Sequence, residues 1–309
     1  MDAESSRKKI AIRITQVLLI VALLYFIGDR IAGNWDEIKT YDWHINYPLL
    51  ALSLVVMLVA LFVMSVVLAA IFGTFSKSVS SAKAFKIAYL SQLGRYIPGK
   101  IWQVFGMVYL AGKEGISKTE AITSFALAQV FATPPAILIV CLYLIFAGNL
   151  SLEAFDITVI GYALGAVVLI SIIVLLKPSW LRGLINYVLA RFGKETISFQ
   201  IRKKSGGKIL FTYFVAWNLY GLAFYLFLIS VSDFPAGHYL HAVGIFCAAY
   251  LIGYWSILTP GGIGVREAVL VLLLAPYFSP GVAAAVAAFA RLWSIVGELI
   301  ASGIALRVK

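Results

Sequence analysis

Two polar stretches inside apolar surroundings carry the residues of this sequence that could do chemistry. The first, Gly94–Lys100, holds Arg95 and Lys100 around Pro98-Gly99, and the second, Leu258–Ala268, holds Arg266 and Glu267 after Pro260. A cation at the centre of an apolar helix costs about 2.5–3.5 kcal/mol on insertion scales, so it usually binds or pairs with an anion. Backbone N–H groups beside a break in a helix also suit phosphate. We therefore predict an anion-binding site made by Arg95, Gly99, Lys100, Gly261, Gly262 and Arg266.

Three further ionisable residues, Glu267, Arg291 and Glu298, could carry a coupling proton or form a charge pair. Arg291 and Glu298 lie seven positions apart, which places them on one helical face about 10 Å apart along the axis. Glu298 could carry the proton, or it could pair with Arg291 or Arg266. Arg266 and Glu267 could likewise form a purely structural pair. Arg95 and Lys100 could instead extend toward the cytoplasmic headgroups.

Other chemistries fit the sequence poorly. Gly94–Lys100 resembles a phosphate-binding P-loop, but Ile101 stands where a Ser or Thr would bind magnesium. His238 and His241 could bind a metal, but no third ligand is in view, so we expect an interfacial role. No catalytic dyad is apparent, although Glu267 and Glu298 leave that option open. We expect no metal, no cofactor and no enzyme activity.

Composition indicates a polytopic membrane protein. The 309 residues are 62% hydrophobic and 13% charged, whereas a soluble domain carries about a quarter charged residues. Cys141 and Cys247 lie in apolar runs and predict neither a disulfide framework nor a metal site. The first apolar stretch is followed by Asp29-Arg30 instead of a small-residue cleavage site, so we interpret it as a retained span.

The predicted fold is an all-α membrane protein with about six full spans and two re-entrant broken-helix hairpins. Short flanks around Pro98-Gly99 and Pro260 predict the hairpins, within Ala84–Ala111 and Tyr239–Ala275. A helix at the membrane interface is expected over Trp180–Phe192. The spans are predicted at Ile10–Ile27, Pro48–Phe72, Thr119–Ala147, Ile157–Leu176, Ile209–Val231 and Gly281–Leu306.

Charge distribution predicts the orientation of these spans. With a cytoplasmic N-terminus, 21 of the 25 Lys and Arg lie in the inner segments 1–13, 73–118, 177–208 and 307–309. The outer loops hold only Arg30 and Lys39. This is the positive-inside pattern, and it accounts for the net charge of +11 without a nucleic-acid partner. We expect both termini to be cytoplasmic and the protein to lie in the plasma membrane.

The order of span, broken hairpin and span recurs at a constant offset. Pro98 and Pro260 are 162 positions apart, and the starts of the flanking spans follow the same offset. An odd number of crossings separates the two copies, which predicts an inverted repeat with the site at its interface. The single membrane domain 1–309 is thus divided into 1–47 (first span and outer loop), 48–147 (repeat 1), 148–208 (connecting span and basic segment) and 209–309 (repeat 2).

The stretches Arg95-Tyr-Ile-Pro-Gly-Lys-Ile-Trp102 and Thr259-Pro-Gly-Gly-Ile-Gly-Val-Arg-Glu-Ala268 resemble the transmembrane region of lysylphosphatidylglycerol synthases, a flippase-like family. The resemblance covers roughly Ala11–Leu306. It implies movement of a charged lipid between leaflets; other members of the family accompany glycosyltransferases of lipid-linked sugars. The family's synthase domain is not found in these 309 residues.

Residues and resemblance together favour a lipid translocator that moves an anionic phospholipid or polyprenyl-linked sugar headgroup through a polar cavity. The alternative is an accessory membrane protein that assists a glycosyltransferase or lipid synthase and transports nothing. A membrane enzyme acting on a lipid-linked substrate is the third hypothesis.

Overall fold

The computed structural model describes residues 32–75, 78–96, 101–146, 178–191, 203–256 and 262–309, with positions 25, 28–29, 158, 161–162, 165–166, 168–169, 193, 196–199 and 201 between them. All elements in this described part are helices, and one 3-10 turn, Leu93–Tyr96, follows α3. The helices are α1 (Trp35–Thr40), α2 (Tyr47–Gly73), α3 (Ser81–Gln92), α4 (Ile101–Lys113), α5 (Lys118–Phe146), α6 (Pro178–Arg191), α7 (Lys203–Val231), α8 (Tyr239–Trp255), α9 (Val265–Leu274) and α10 (Pro280–Leu306).

Four of the described helices, α2, α5, α7 and α10, are long and apolar enough to cross a membrane. They correspond to the second, third, fifth and sixth predicted spans, and α7 begins at Lys203, six residues before the predicted start. Their ends follow ordinary capping chemistry: the Asn46 side chain accepts a hydrogen bond from Leu49 N at the start of α2, and α10 begins with Pro280. The first and fourth predicted spans lie almost wholly outside the described residues.

Four shorter helices flank the two predicted breaks. α3 and α4 have 12 and 13 residues, and α8 and α9 have 17 and 10. At 1.5 Å per residue each is about 15–26 Å long, less than the roughly 30 Å of a bilayer core. Pro98 and Pro260 themselves lie outside the described residues.

The helices form two groups that pack in matching ways. α2–α5 and α7–α10 each follow the order long, short, short, long, and α2 packs extensively against α7 at the centre. The last helix of each group packs on the first short helix of the other, α5 on α8 and α10 on α3. Each group therefore supplies a long helix that packs against the first short helix of the other group.

Glycines allow the chain to approach itself closely on both sides of each break. A Cβ atom on Gly94 would lie 2.7 Å from the carbonyl carbon of Trp102, and one on Gly253 would lie 2.9 Å from Arg266 Cβ. Gly262 has a φ of +71°, and a Cβ there would lie 2.6 Å from the carbonyl oxygen of Gly253. These approaches fix the short helices of each pair against each other.

The helix predicted at the membrane interface is present as α6, over Pro178–Arg191. Asn186 on this helix holds the segment after it, because its side chain donates to the Ile197 carbonyl and accepts from Ile197 N. Trp180, Leu184 and Tyr187 are exposed and lie three or four positions apart, hence on one face.

Candidate functional site

A cavity of about 130 Å³ lies among the two helix groups. Its walls come from α2, from α3 with its 3-10 turn, from α4 and α5, and from α7 and α8 of the second group. A water molecule needs roughly 10–15 Å³ of such space, so the cavity has room for a small polar headgroup. Both helix groups thus contribute to one cavity.

Polar side chains from three different helices point into this cavity. Gln92 at the end of α3, Gln103 on α4 and Gln129 on α5 line it, together with Arg95 from the 3-10 turn. Each glutamine amide can both donate and accept hydrogen bonds. Among the described lining residues, Arg95 is the one with a formal charge. The cavity therefore has several polar groups in a partly apolar wall, and the charged residue of its described lining is a cation.

Aromatic side chains form the wall contributed by α7 and α8. Trp217, Tyr250 and Tyr254 line the cavity, with Tyr213 beside them. The rings of Tyr250 and Tyr254 are nearly parallel, with centroids 6.3 Å apart, and Trp217 packs edge-on against Tyr250 at 5.0 Å. Trp217 is fixed because its indole N–H donates to the carbonyl oxygen of Ala132 at 2.9 Å.

That carbonyl lies beside the prolines of α5. Pro134 and Pro135 have no N–H to donate inside the helix, so carbonyl groups one turn earlier lose partners. These are the carbonyls of Val130 and Phe131, four positions before each proline. Trp217 donates to the neighbouring Ala132 carbonyl and so ties α7 to α5 beside the prolines.

Arg95 pairs with a carboxylate from the other helix group. Its guanidinium donates to Glu298 Oε1 of α10, and the side chains are 13% and 4% exposed. The Arg95 side chain is turned inward in this structure, and not toward the cytoplasmic headgroups as in the alternative prediction. Pairing of Glu298 with Arg291 or Arg266 was one of two possibilities for this residue, and Arg95 is a different partner. The pair places a cation at the cavity with its charge balanced.

Arg266 lies in the core of the second group, where it is 5% exposed. Its guanidinium carbon is 5.1 Å from the centroid of the Phe246 ring and 5.3 Å from that of Tyr250. It also donates to Ser294 Oγ at 3.3 Å. Arg266 is not among the residues that line the cavity, although Tyr250 contacts both. Stacking on two rings is an arrangement that stabilises a buried guanidinium.

Glu267 links the start of α9 to α10. One carboxylate oxygen accepts from Gly264 N at 2.6 Å, and the other lies 3.5 Å from Arg291 Nη1. A carboxylate at a helix N-terminus is favoured by the helix dipole. The predicted charge-pair residues are therefore all in ion pairs, Arg291 with Glu267 and Glu298 with Arg95, and α10 contributes one member to each.

The glycines and lysine of the predicted site divide into two sets. Gly262 is buried against Gly253 and has a structural role in the close approach described above. Gly99, Lys100 and Gly261 lie outside the described residues. Their assignment to anion binding stays a prediction.

Sequence reasoning missed the glutamines and the aromatic wall. Gln92, Gln103 and Gln129 are conspicuous in retrospect, because each is an amide in a mainly apolar helix. An unpaired amide is costly inside a membrane, so three of them in spans and broken helices are a usable signal.

The two histidines lie in an aromatic cluster away from the cavity. The rings of His238 and His241 are 4.8 Å apart, and Tyr277 and Tyr143 pack against them. In the described part of the chain, no group of three or more His, Cys, Asp or Glu could hold a metal ion.

Comparison with known families gives one assignment for nearly the whole chain. A family model described as the lysylphosphatidylglycerol synthase TM region matches residues 13–302. The match includes both broken regions, α2, α5 and α7 in full, and α10 up to Ser302. A search of curated proteins finds no match.

Proposed function

This chain belongs to the lysylphosphatidylglycerol synthase TM region family and is an integral membrane protein, and from that premise we propose that it is a flippase-like lipid translocator. The headgroup of an anionic or lipid-linked substrate passes through the cavity between the helix groups. Its tails remain in the bilayer. We propose that the host membrane is the plasma membrane, with both termini in the cytoplasm.

The observation that carries the proposal is a largely buried cation beside three glutamine side chains at one cavity inside a mainly apolar helical bundle. Arg95, Gln92, Gln103 and Gln129 reach the same space from three helices and a turn. A bundle that needed only stability would fill this space with apolar side chains, since polar groups at membrane depth are expensive. A site for an anionic, hydrogen-bonding headgroup accounts for all four residues.

The Arg95–Glu298 pair suggests how the headgroup is accepted and released. A guanidinium binds phosphate with two parallel hydrogen bonds, so a headgroup phosphate can compete with Glu298 for Arg95. Binding then leaves the Glu298 carboxylate without that partner in a buried position. In this proposal Glu298 is the candidate carrier of the coupling proton, because it is the carboxylate that the phosphate displaces from Arg95.

The packing supports an inverted repeat as the basis of alternating access. In this proposal α3–α4 and α8–α9 are re-entrant hairpins that enter from opposite sides, and α5 and α10 support them crosswise. The domain division into repeats 48–147 and 209–309 stays a prediction. The ion pairs on α10 connect both hairpins, so a movement of α10 changes both at once.

The test is lipid movement by purified protein in liposomes. Fluorescent lipids with anionic headgroups, accessible to an impermeant quencher only in the outer leaflet, report transfer between leaflets. We expect transfer with the native chain and its loss in Arg95→Gln, while Arg307→Gln, which removes an exposed cation at the end of α10, remains active. Absence of transfer for every lipid by the folded native chain would refute the translocator.

The alternative is an accessory protein for a glycosyltransferase or lipid synthase. One side of α4 favours a partner, because Trp102, Phe105 and Tyr109 form an exposed aromatic stripe there. An accessory role predicts inactive protein in liposomes and gain of partner activity on co-reconstitution. Loss of that gain in Phe105→Ala would favour this role, with Ile304→Ala, which changes an exposed side chain of α10, as the control.

A further inference from the structure

The lining of the cavity limits what kind of headgroup it can bind. This inference rests on the proposed function, because it names the substrate class of the same cavity. Arg95 matches one negative charge, such as a phosphate. The other polar groups of the described lining are uncharged, and they include the amides of Gln92, Gln103 and Gln129 and the hydroxyls of Ser91, Tyr213, Tyr250 and Tyr254. One cation among many neutral donors and acceptors in this described lining matches a headgroup that is neutral apart from its phosphate.

A hydroxyl-rich group has the matching hydrogen-bond pattern. Hydroxyls and primary amides both donate and accept, so amides from three directions can satisfy several hydroxyls at once. The aromatic wall adds a second match. The C–H groups on the face of a sugar or cyclitol ring carry partial positive charge, and aromatic faces carry negative charge. Tyr250, Tyr254 and Trp217 present such rings at the cavity.

Among the described lining residues, an amine-bearing headgroup has no matching partner. A buried ammonium group requires a carboxylate or a comparable counter-charge. The described residues that line the cavity include no Asp or Glu. The segments 97–100 and 257–261, outside the described residues, contain no Asp or Glu in their sequence and include a further cation, Lys100. In the proposed cycle the adjacent carboxylate, Glu298, either pairs with Arg95 or carries the coupling proton, so it does not supply this counter-charge.

We propose that the cargo is a lipid whose phosphate carries an uncharged, hydroxyl-rich group, a sugar or a polyol, and not an aminoacylated headgroup. Arg95 binds the phosphate, the three glutamines bind the hydroxyls, and the α7–α8 wall packs against the ring or carbon chain. Two kinds of membrane lipid share this chemistry, glycerophospholipids with polyol headgroups and polyprenyl phosphate sugars.

The experiment measures headgroup preference by ligand-induced stabilisation of the purified full chain in detergent. The glycerolipid series is dioctanoyl phosphatidic acid, phosphatidylglycerol, phosphatidylinositol and lysylphosphatidylglycerol; the prenyl series is farnesyl phosphate with and without a linked glucose. We expect hydroxyl-bearing ligands to shift Tm at concentrations about tenfold below those of the bare phosphate with the same tail. The bare phosphate has at least as much negative charge, so charge alone predicts the opposite order. Comparison of the two series identifies the source of the lipid.

Variants assign this preference to the cavity. Gln129→Leu and Gln92→Leu should each reduce the roughly tenfold preference to about two- or threefold, because one set of hydrogen bonds is lost. Arg95→Gln should weaken binding of hydroxyl-bearing and bare ligands alike. Asn218→Leu is the control, since this α7 side chain donates to Phe214 O of its own helix and does not line the cavity. The ratio of two affinities within one variant does not depend on the amount of folded protein.

The outcomes separate this inference from the translocator itself. Equal or tighter binding of the bare phosphate or of the lysyl lipid would overturn the headgroup assignment, even if lipid transfer in liposomes is intact. A preference unchanged in both glutamine variants would also overturn it. Selective binding without any transfer would leave the assignment standing and refute translocation.

Discussion

The guanidinium of Arg95 and the carboxylate of Glu298 form an ion pair between residues that are 203 positions apart in the chain. The pair joins the 3-10 turn after α3 to the last helix, and so joins the two helix groups at the cavity. Both side chains are largely withdrawn from solvent, which makes each dependent on the other. The first prediction follows from this dependence.

Replacing one partner of the Arg95–Glu298 pair should destabilise the protein more than replacing both partners. Removal of one partner of a buried ion pair costs about 3–5 kcal/mol, because the other charge is left uncompensated. We expect Glu298→Gln and Arg95→Gln each to lower Tm in detergent, and the double variant to regain much of the loss. Additive losses in the double variant would contradict the pairing.

Arg266 should contribute to stability through its planar guanidinium. Lysine keeps the charge but cannot stack in the same way on Phe246 and Tyr250. Arg266→Lys should therefore reduce the free energy of unfolding by about 2 kcal/mol and lower Tm. Arg307→Lys, at the exposed end of α10, is the matched control and should leave Tm unchanged. A normal Tm in Arg266→Lys and Arg266→Gln together with abolished lipid transfer in Arg266→Gln would instead support the sequence-based assignment of Arg266 to phosphate binding.

The close approach between α8 and the chain before α9 should not tolerate a methyl group. Gly253→Ala and Gly262→Ala should each lower Tm, the first by contact with Arg266 and the second by contact with the Gly253 carbonyl and by its positive φ. Gly303→Ala on α10 is the control, since a Cβ there meets nothing within 4 Å. It should be neutral or stabilising by about 0.5–1 kcal/mol, because alanine favours a helix. Equal effects at all three positions would argue against this packing.

The charge distribution predicts which loops face the outside. In a chain with Cys141 and Cys247 replaced by alanine, cysteines at Asp36 and Asp233 should react with an impermeant thiol reagent applied to intact cells. Cysteines at Arg191 and Lys309 should react only after the membrane is permeabilised. All four positions are exposed in the structure, so burial does not confound the result. Outside labelling at Arg191 would overturn the orientation and, with it, the inverted repeat.

Composition and local pattern determined a large part of this protein from the sequence alone. Long apolar segments such as Tyr47–Gly73 and Pro280–Leu306 are recognisable because a span depends only on the character of about 20 consecutive residues. The two helix breaks could also be predicted from local sequence, because proline and glycine disturb the backbone within one turn of a helix. The family resemblance read from both motifs is confirmed over residues 13–302.

The tertiary structure alone decided which residues meet. From the sequence, Arg95 could contact lipid headgroups, a bound phosphate or any buried carboxylate. The packing of α10 on α3 places Glu298 beside it. In the same way Arg266 was placed on two aromatic rings, and three glutamines from separate helices were brought to one cavity. A sequence pattern reports the face of a helix on which a residue lies. The partner across that face depends on how distant helices cross, and local pattern carries no information on that.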